Sequence, residues 1–128
     1  MTTPLKSFVT HLECSATGEP YPAAVLHGLS KTRQPLLVRY DLDALAAVLT
    51  KKMLASRPPD MWRYREFLPL PSNIEPISLG ETITPLVPVP RVQARLDVAD
   101  LLVKDEGRLP TGSFKSRGMS VAVSMAKA

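Results

Sequence analysis

Leu42, Leu45, Ala46, Leu49 and Met53 recur at spacings of three and four, which places them on one face of a helix. Asp41 or Asp43 is suited to cap it, and the stripe predicts a helix running to about Ser56. Pro58-Pro59 stops it, and Lys51, Lys52 and Arg57 sit near its end, where cations suit the helix dipole. Upstream, Pro35 to Tyr40 reads as a short strand. Downstream, Asp60 can cap a short helix over Met61 to Phe67, and Arg91 to Leu96 form a further helical turn. Asp100 to Lys104 is a short apolar strand. The polar loop Asp105 to Gly112 follows it, broken by Gly107, Pro110 and Gly112. A helix is then expected from Ser113 to Ala128, burying Phe114, Val121, Val123 and Met125, with Met119 and Met125 as core filler. Strand, loop and helix form the opening half of an α/β unit, and ligands in such folds sit where the loop leaves the strand's carboxyl end. The fold class expected is therefore α/β.

Composition narrows the setting. Hydrophobic residues make up 45% of the 128 positions, enough for one small domain with a core. Thirteen prolines cluster at Pro58-Pro59, Pro69 to Pro76 and Pro85 to Pro90, so the middle of the chain is expected to run as extended connections. No apolar run is long enough to span a membrane. Met1 to Lys6 has no apolar stretch behind a basic region, and the single cysteine, Cys14, leaves no internal disulfide. The expected location is cytoplasmic. The net charge of +4 comes from scattered cations. Only Trp62-Arg63-Tyr64-Arg65 mixes them with aromatics, which is too little for a nucleic-acid surface. Trp62 and Tyr64 read as packing anchors. His11 and His27 have no carboxylate or cysteine at ligand-like spacing and read as ordinary histidines.

The segment Pro110-Thr111-Gly112-Ser113-Phe114-Lys115-Ser116-Arg117-Gly118 carries the chemistry. Ser113 is a good cap for the helix that follows. Lys115 then lies in the first turn, where the positive end of the dipole disfavours protonation, and Arg117 is expected to push the same way. An amine held less protonated is a better nucleophile toward an aldehyde. A helix start beside a glycine loop also suits an anion such as a phosphate. Surface lysines are common, however, so these features alone make Lys115 a candidate and no more. Lys104-Asp105-Glu106 is a charged turn next to the loop and could support it.

Lys104-Asp105-Glu106-Gly107, Pro110-Thr111-Gly112-Ser113-Phe114-Lys115 and Arg117-Gly118 together resemble the cofactor-lysine segment of threonine synthases. These belong to the pyridoxal-phosphate enzymes that include serine and threonine dehydratases and tryptophan synthase β. Cys14 to Glu19, Pro35 to Leu42, Met61 to Glu66 with Leu68-Pro69, and Ser78 to Glu81 with Thr84-Pro85-Leu86 resemble the same family in the same order. The resemblance implies the N-terminal part of a fold-type II enzyme with a three-layer αβα parent fold. Residues 1–75 would be the N-terminal segment, and residues 76–128 the start of the cofactor-binding domain. It implies pyridoxal 5'-phosphate as cofactor, Lys115 as the Schiff-base and catalytic lysine, and Ser113 as a further cofactor-binding residue. The implied reaction converts O-phospho-L-homoserine and water to L-threonine and phosphate, with a homodimer as the possible full-length form. A threonine or serine dehydratase-like enzyme, a cysteate synthase-like enzyme and a non-catalytic truncated product are the alternatives.

Three departures from the family pattern bear on this. Some relatives carry paired cysteines near the N-terminus, but here Cys14 stands alone with Thr17 where a partner would be, so no metal is expected. Ser116 replaces an Asp or Ala, with a small loss of stability expected. The substrate loop and the glycine-rich phosphate loop of the family lie beyond residue 128. The 128-residue chain alone is accordingly expected to be inactive and poorly folded, with the apolar face of its last helix left wet.

Overall fold

The computed structural model describes residues 7–128; Met1 to Lys6, read above as lacking a secretory leader, lie outside them. The chain forms two compact units. One takes the chain up to Arg57 together with Tyr64–Glu75, and the other takes Pro58–Arg63 and Pro76–Lys127. No helix among the described residues is long and apolar enough to cross a membrane.

The first unit is built on an antiparallel sheet of β1 (Val9–Cys14), β2 (Pro20–Tyr21) and β3 (Leu36–Tyr40), in the order β2-β1-β3. β3 occupies the stretch read as a strand from Pro35 to Tyr40. Asp41, not Asp43, caps α1 (Leu42–Val48), accepting the Ala44 N–H at 2.9 Å. The expected helix to Ser56 is two helices. Leu49 turns to extended backbone. Thr50 Oγ1 then accepts the Met53 N–H at 3.2 Å and opens α2 (Lys51–Ala55). A threonine hydroxyl competes with the helix for backbone partners, and here it wins between Leu49 and Met53, the last two residues of the apolar stripe. Lys51 and Lys52 therefore stand at the start of α2. Leu45 is buried, while Leu42 and Met53 are exposed.

The cysteine at the end of β1 is buried, with Ser30 Oγ at 3.3 Å and Thr32 Oγ1 at 3.5 Å from its Sγ. Hydrogen bonds from Ser30, Thr17 and Thr32 pull its thiol down to about 6. Among the described residues no group of three His, Cys, Asp or Glu side chains could hold a metal ion. His11 does have a carboxylate neighbour, Glu13 at 3.8 Å, because residues two apart share a strand face; Glu13 is bound more closely by Arg39, at 2.5 Å. His27 packs edge-on to Tyr21, with Nε2 2.8 Å from the Pro22 carbonyl oxygen. Arg65 is no part of a surface patch: its guanidinium donates to the carbonyls of Pro71, Ser72 and Ile74, fastening the proline-rich loop.

Asp60 Oδ1 accepts the N–H groups of Trp62 and Arg63, starting a 3-10 segment over Met61–Phe67. Tyr64 in it is exposed and Trp62 half-buried. In the second unit, β4 (Leu86–Pro88) pairs antiparallel with β5 (Leu102–Lys104), and α3 (Pro90–Leu96) connects them. The prolines at 85, 88 and 90 were read as an extended connection. Extended it is, and it pairs, because a two-stranded ladder leaves each strand a free edge that tolerates proline. Pro90 opens α3, where a missing N–H costs nothing.

The last helix, α4 (Lys115–Lys127), leaves its apolar face wet, as expected of the 128-residue chain alone, and turns a face of serines inward. Phe114, Met119, Val123 and Met125 are exposed, while Ser116, Ser120 and Ser124 are buried. Ser120 Oγ donates to the Ile77 carbonyl at 2.6 Å, and Ser124 Oγ accepts the Ile77 N–H at 2.8 Å. Spaced four apart, the serines line one stripe. The second unit buries only two hydrophobic side chains, Met61 and Leu109, against five polar ones, Glu81, Thr84, Ser116, Ser120 and Ser124. Its interior is held by hydrogen bonds rather than by apolar packing.

Within the first unit, Arg57 grips Glu66 through two nitrogens, at 2.7 and 2.6 Å, and the Glu66 side chain is 4% exposed. Removing the cation from a buried pair strands its carboxylate. In the protein expressed from its complete reading frame, Arg57→Met is expected to cost about 3 kcal/mol in urea unfolding, and Arg57→Lys, which loses the two-pronged geometry, an intermediate amount.

Candidate active site

Lys115 is the first residue of α4 and is exposed. None of the ion pairs among the described residues involves it. The loop reaches it through Gly112, whose φ of +66° lies in the left-handed region that favours glycine. The Gly112 N–H donates to the Leu109 carbonyl at 2.7 Å, which turns the chain back toward the helix. Ser113 stands two residues before Lys115. Its Oγ accepts the Lys115 N–H at 3.4 Å, and its carbonyl accepts the Ser116 N–H at 3.1 Å. Ser113 thus does start the helix, more through its carbonyl than through its side chain.

Arg117 does not face Lys115 as an unmatched cation. Its Nε lies 2.7 Å from Glu106 Oε2 and its Nη2 3.0 Å from Oε1, a two-pronged pair, and Nη2 also donates to the Thr82 carbonyl at 2.9 Å. Thr84 Oγ1 donates to Glu106 as well, and Lys104 Nζ is 3.6 Å away. The Arg117 guanidinium, then Thr84, hold the Glu106 carboxyl down to about 2. The guanidinium of Arg117 is therefore matched by a carboxylate. The turn Lys104-Asp105-Glu106 contacts α4 through Arg117, two residues past Lys115. Asp105 takes part separately, binding Arg108 at 2.9 Å.

Ser116 is buried and donates to Glu81 Oε1 at 3.0 Å. It is a fastening point, where sequence reasoning saw only a weaker capping residue. Glu81 is 2% exposed. Its other donors are Ser78 Oγ at 2.5 Å and the Leu79 N–H at 3.2 and 3.3 Å. Burial pushes its carboxyl up, but the hydrogen bonds of Ser78, of the backbone and of Ser116 outweigh it, and the net direction is down. Sequence reasoning gave Glu81 and Thr84 no role. The available signal was Ser78-x-x-Glu81, the spacing at which a hydroxyl and a carboxylate close on each other's backbone.

The depressed Glu106 carboxyl sets an acid limb. Its ordinary value is 4.5 and its folded value about 2. The stability it contributes is complete above pH 4.5 and is lost as pH falls toward 2. Glu106→Gln should flatten the decline in unfolding midpoint between pH 4.5 and 2, without abolishing it, because Glu66 and Glu81 are also lowered. An unchanged acid limb in the variant would show that Glu106 does not hold its proton-free form through Arg117.

Residues 77–128 match the family of pyridoxal-phosphate dependent enzymes. The chain is 37% identical to a threonine synthase of Methanosarcina acetivorans over 117 residues, which is 91% of this chain and 28% of that protein. It is 38% identical to a threonine synthase of Methanocaldococcus jannaschii over 91 residues, 71% of this chain and 22% of that protein. A threonine synthase of Halalkalibacterium halodurans is 47% identical over 64 residues, 50% of this chain and 18% of that protein. The chain thus spans about a quarter of the length of the first two relatives. No solved structure matches it. With Lys115 at the head of α4 and inside the matched region, residues 77–128 of this mixed α/β chain belong to the pyridoxal-phosphate dependent enzyme family, and the chain is similar to part of the threonine synthases.

Proposed function

We propose that the chain is the cofactor-lysine portion of a threonine synthase-like carbon–oxygen lyase, converting O-phospho-L-homoserine and water to L-threonine and phosphate in threonine biosynthesis. Lys115 is the residue that holds the cofactor covalently, and Ser113 contributes to its binding. The carrying observation is an exposed primary amine at the head of α4, outside every ion pair among the described residues. The residues fit the cofactor: an amine for its aldehyde, and a glycine turn with a hydroxyl at a helix start for its anion. When bound, pyridoxal phosphate supplies the electron sink. Lys115 anchors it and, when its amine is free, carries protons at Nζ. Ser116 and Arg117, bound beneath by Glu81 and Glu106, orient the lysine. The cytoplasm is the proposed location, a homodimer the proposed assembly, and residues 1–75 and 76–128 the proposed domains.

The 128-residue chain is proposed to be inactive by itself and to bind no metal. The apolar side of α4 is exposed at Phe114, Met119, Val123 and Met125. Each square ångström left wet forgoes about 25 cal/mol, so the rest of the enzyme has apolar surface to cover here.

Borohydride reduction with pyridoxal phosphate, followed by peptide mapping, tests the assignment. The pyridoxyl label is expected on Lys115 and absent in Lys115→Ala; a label on Lys104 or Lys127 instead would overturn it. The protein expressed from its complete reading frame should release phosphate from O-phosphohomoserine and leave serine and threonine untouched. Preference for serine or threonine makes it a dehydratase, and turnover by the isolated 128-residue chain refutes the dependence on the rest of the enzyme.

A further inference from the structure

Glu81 is a buried carboxylate on a loop that sequence similarity assigns no chemistry. Burying such a group is costly unless its oxygens are satisfied, and three of its donors come from Ser78, Leu79 and Ser116. Gly80, with φ +91°, lets the loop double back, and its N–H donates to Ser78 Oγ at 3.0 Å. The Glu81 carbonyl accepts the Met61 N–H at 2.9 Å. The one donor from α4 is Ser116, the residue directly after Lys115.

We infer that Glu81 is a positioning residue for Lys115, acting through Ser116; the inference rests on Lys115 being the cofactor lysine. Successive helical residues are turned by about 100°. Fixing Ser116 therefore sets the rotation of the first turn and with it the direction in which Lys115 leaves the helix. Arg117, about 100° further round, is fixed by Glu106. Two neighbouring directions are tied down and the third, that of Lys115, stays open. Ser120 and Ser124 fasten the later turns to Ile77 and so hold the helix when the Glu81 contact is removed. The contact with Glu81 serves the first turn specifically.

The test uses the protein expressed from its complete reading frame, with variants Ser116→Ala, Ser116→Thr, Glu81→Gln and the control Ser124→Ala. Two quantities are read: hydrogen exchange of the amides at 115–119 without cofactor, and the pH profile of borohydride-fixed label on Lys115. Ser116→Ala is expected to lower first-turn protection about tenfold, the effect of losing one charge-assisted hydrogen bond, and to displace the labelling profile; Glu81→Gln, which keeps a carbonyl acceptor for Ser116 but loses the charge, should do both to a lesser degree. Ser116→Thr, which keeps a hydroxyl, should restore both. Ser124→Ala should loosen the far end of α4 and leave the Lys115 profile unmoved. Unchanged protection and profile in Ser116→Ala would overturn the inference. So would an equal displacement in Ser124→Ala, or global unfolding of Ser116→Ala while Ser116→Thr stays native, since either marks general stability. Absence of label on Lys115 in the unmodified protein sinks the cofactor-lysine reading instead, and first-turn protection still decides the role of Glu81.

Discussion

A carboxylate with 2% of its surface in water has to find hydrogen-bond donors inside the protein, and Glu81 finds them on two pieces of chain at once. Ser78 and Leu79 belong to its own loop, and Ser116 to α4. The second unit buries little apolar surface, so this satisfaction requirement does the organising that a hydrophobic core usually does. Each donor that Glu81 needs is also a constraint on where a backbone lies. Thr84 and Arg117 repeat the logic around Glu106, with one difference. Glu81 is met by hydroxyls and backbone N–H groups, while Glu106 is met by a full guanidinium. The first arrangement fixes position with little charge compensation, and the second matches charge with charge.

That difference explains why the part of the chain nearest Lys115 is crowded with polar residues. An interior of Leu and Val would pack α4 from many equivalent rotations. Serines at 116, 120 and 124 hydrogen-bond to named atoms of Glu81 and Ile77, so only one rotation satisfies them. Contacts of that kind also fix the direction of Lys115, because a rotation by one residue would turn it away by about 100°. The energetic weight of these contacts is modest one by one. Their geometric weight is large because they act at adjacent positions.

Local signals carried much of the fold into the sequence. Asp41 and Asp60 announce helix starts through side chains that reach only two or three residues, and Pro35 to Tyr40 shows its strand in its β-branched and aromatic content. The failures come where a partner distant in sequence decides. β1 alternates His11 and Glu13 with Leu12 and Cys14, a weak pattern by itself, and it becomes a strand by pairing with β3. β4 hides behind prolines until β5 supplies its ladder. The split of α1 from α2 turns on Thr50, whose hydroxyl offers a new start that an apolar stripe does not register. At the candidate site, the loop, the glycine turn and the lysine were legible as a contiguous segment. Glu81 was not, because it lies thirty-five positions from the serine it holds.

The inner face of α4 is what the apolar pattern did not show, although a wet apolar face was expected of the chain alone. Apolar residues were assigned inward because burial usually follows hydrophobicity, yet Phe114 is 66% exposed and Ser124 is fully buried. The hydroxyls have an internal use that outweighs their desolvation: Ser124 meets both the Ile77 N–H and the Ser120 carbonyl, so donor and acceptor are both engaged. A serine satisfied in both roles is nearly free to bury, and being small it lets the helix approach the Ile77 backbone closely. A Leu or Val at those positions would keep the helix off that backbone and leave the Ile77 N–H without its partner. The serines thus take the inner face through a local hydrogen-bonding advantage. The helix then meets its own loop through polar atoms and offers an apolar surface, with Lys115 at its head, to whatever packs outside it.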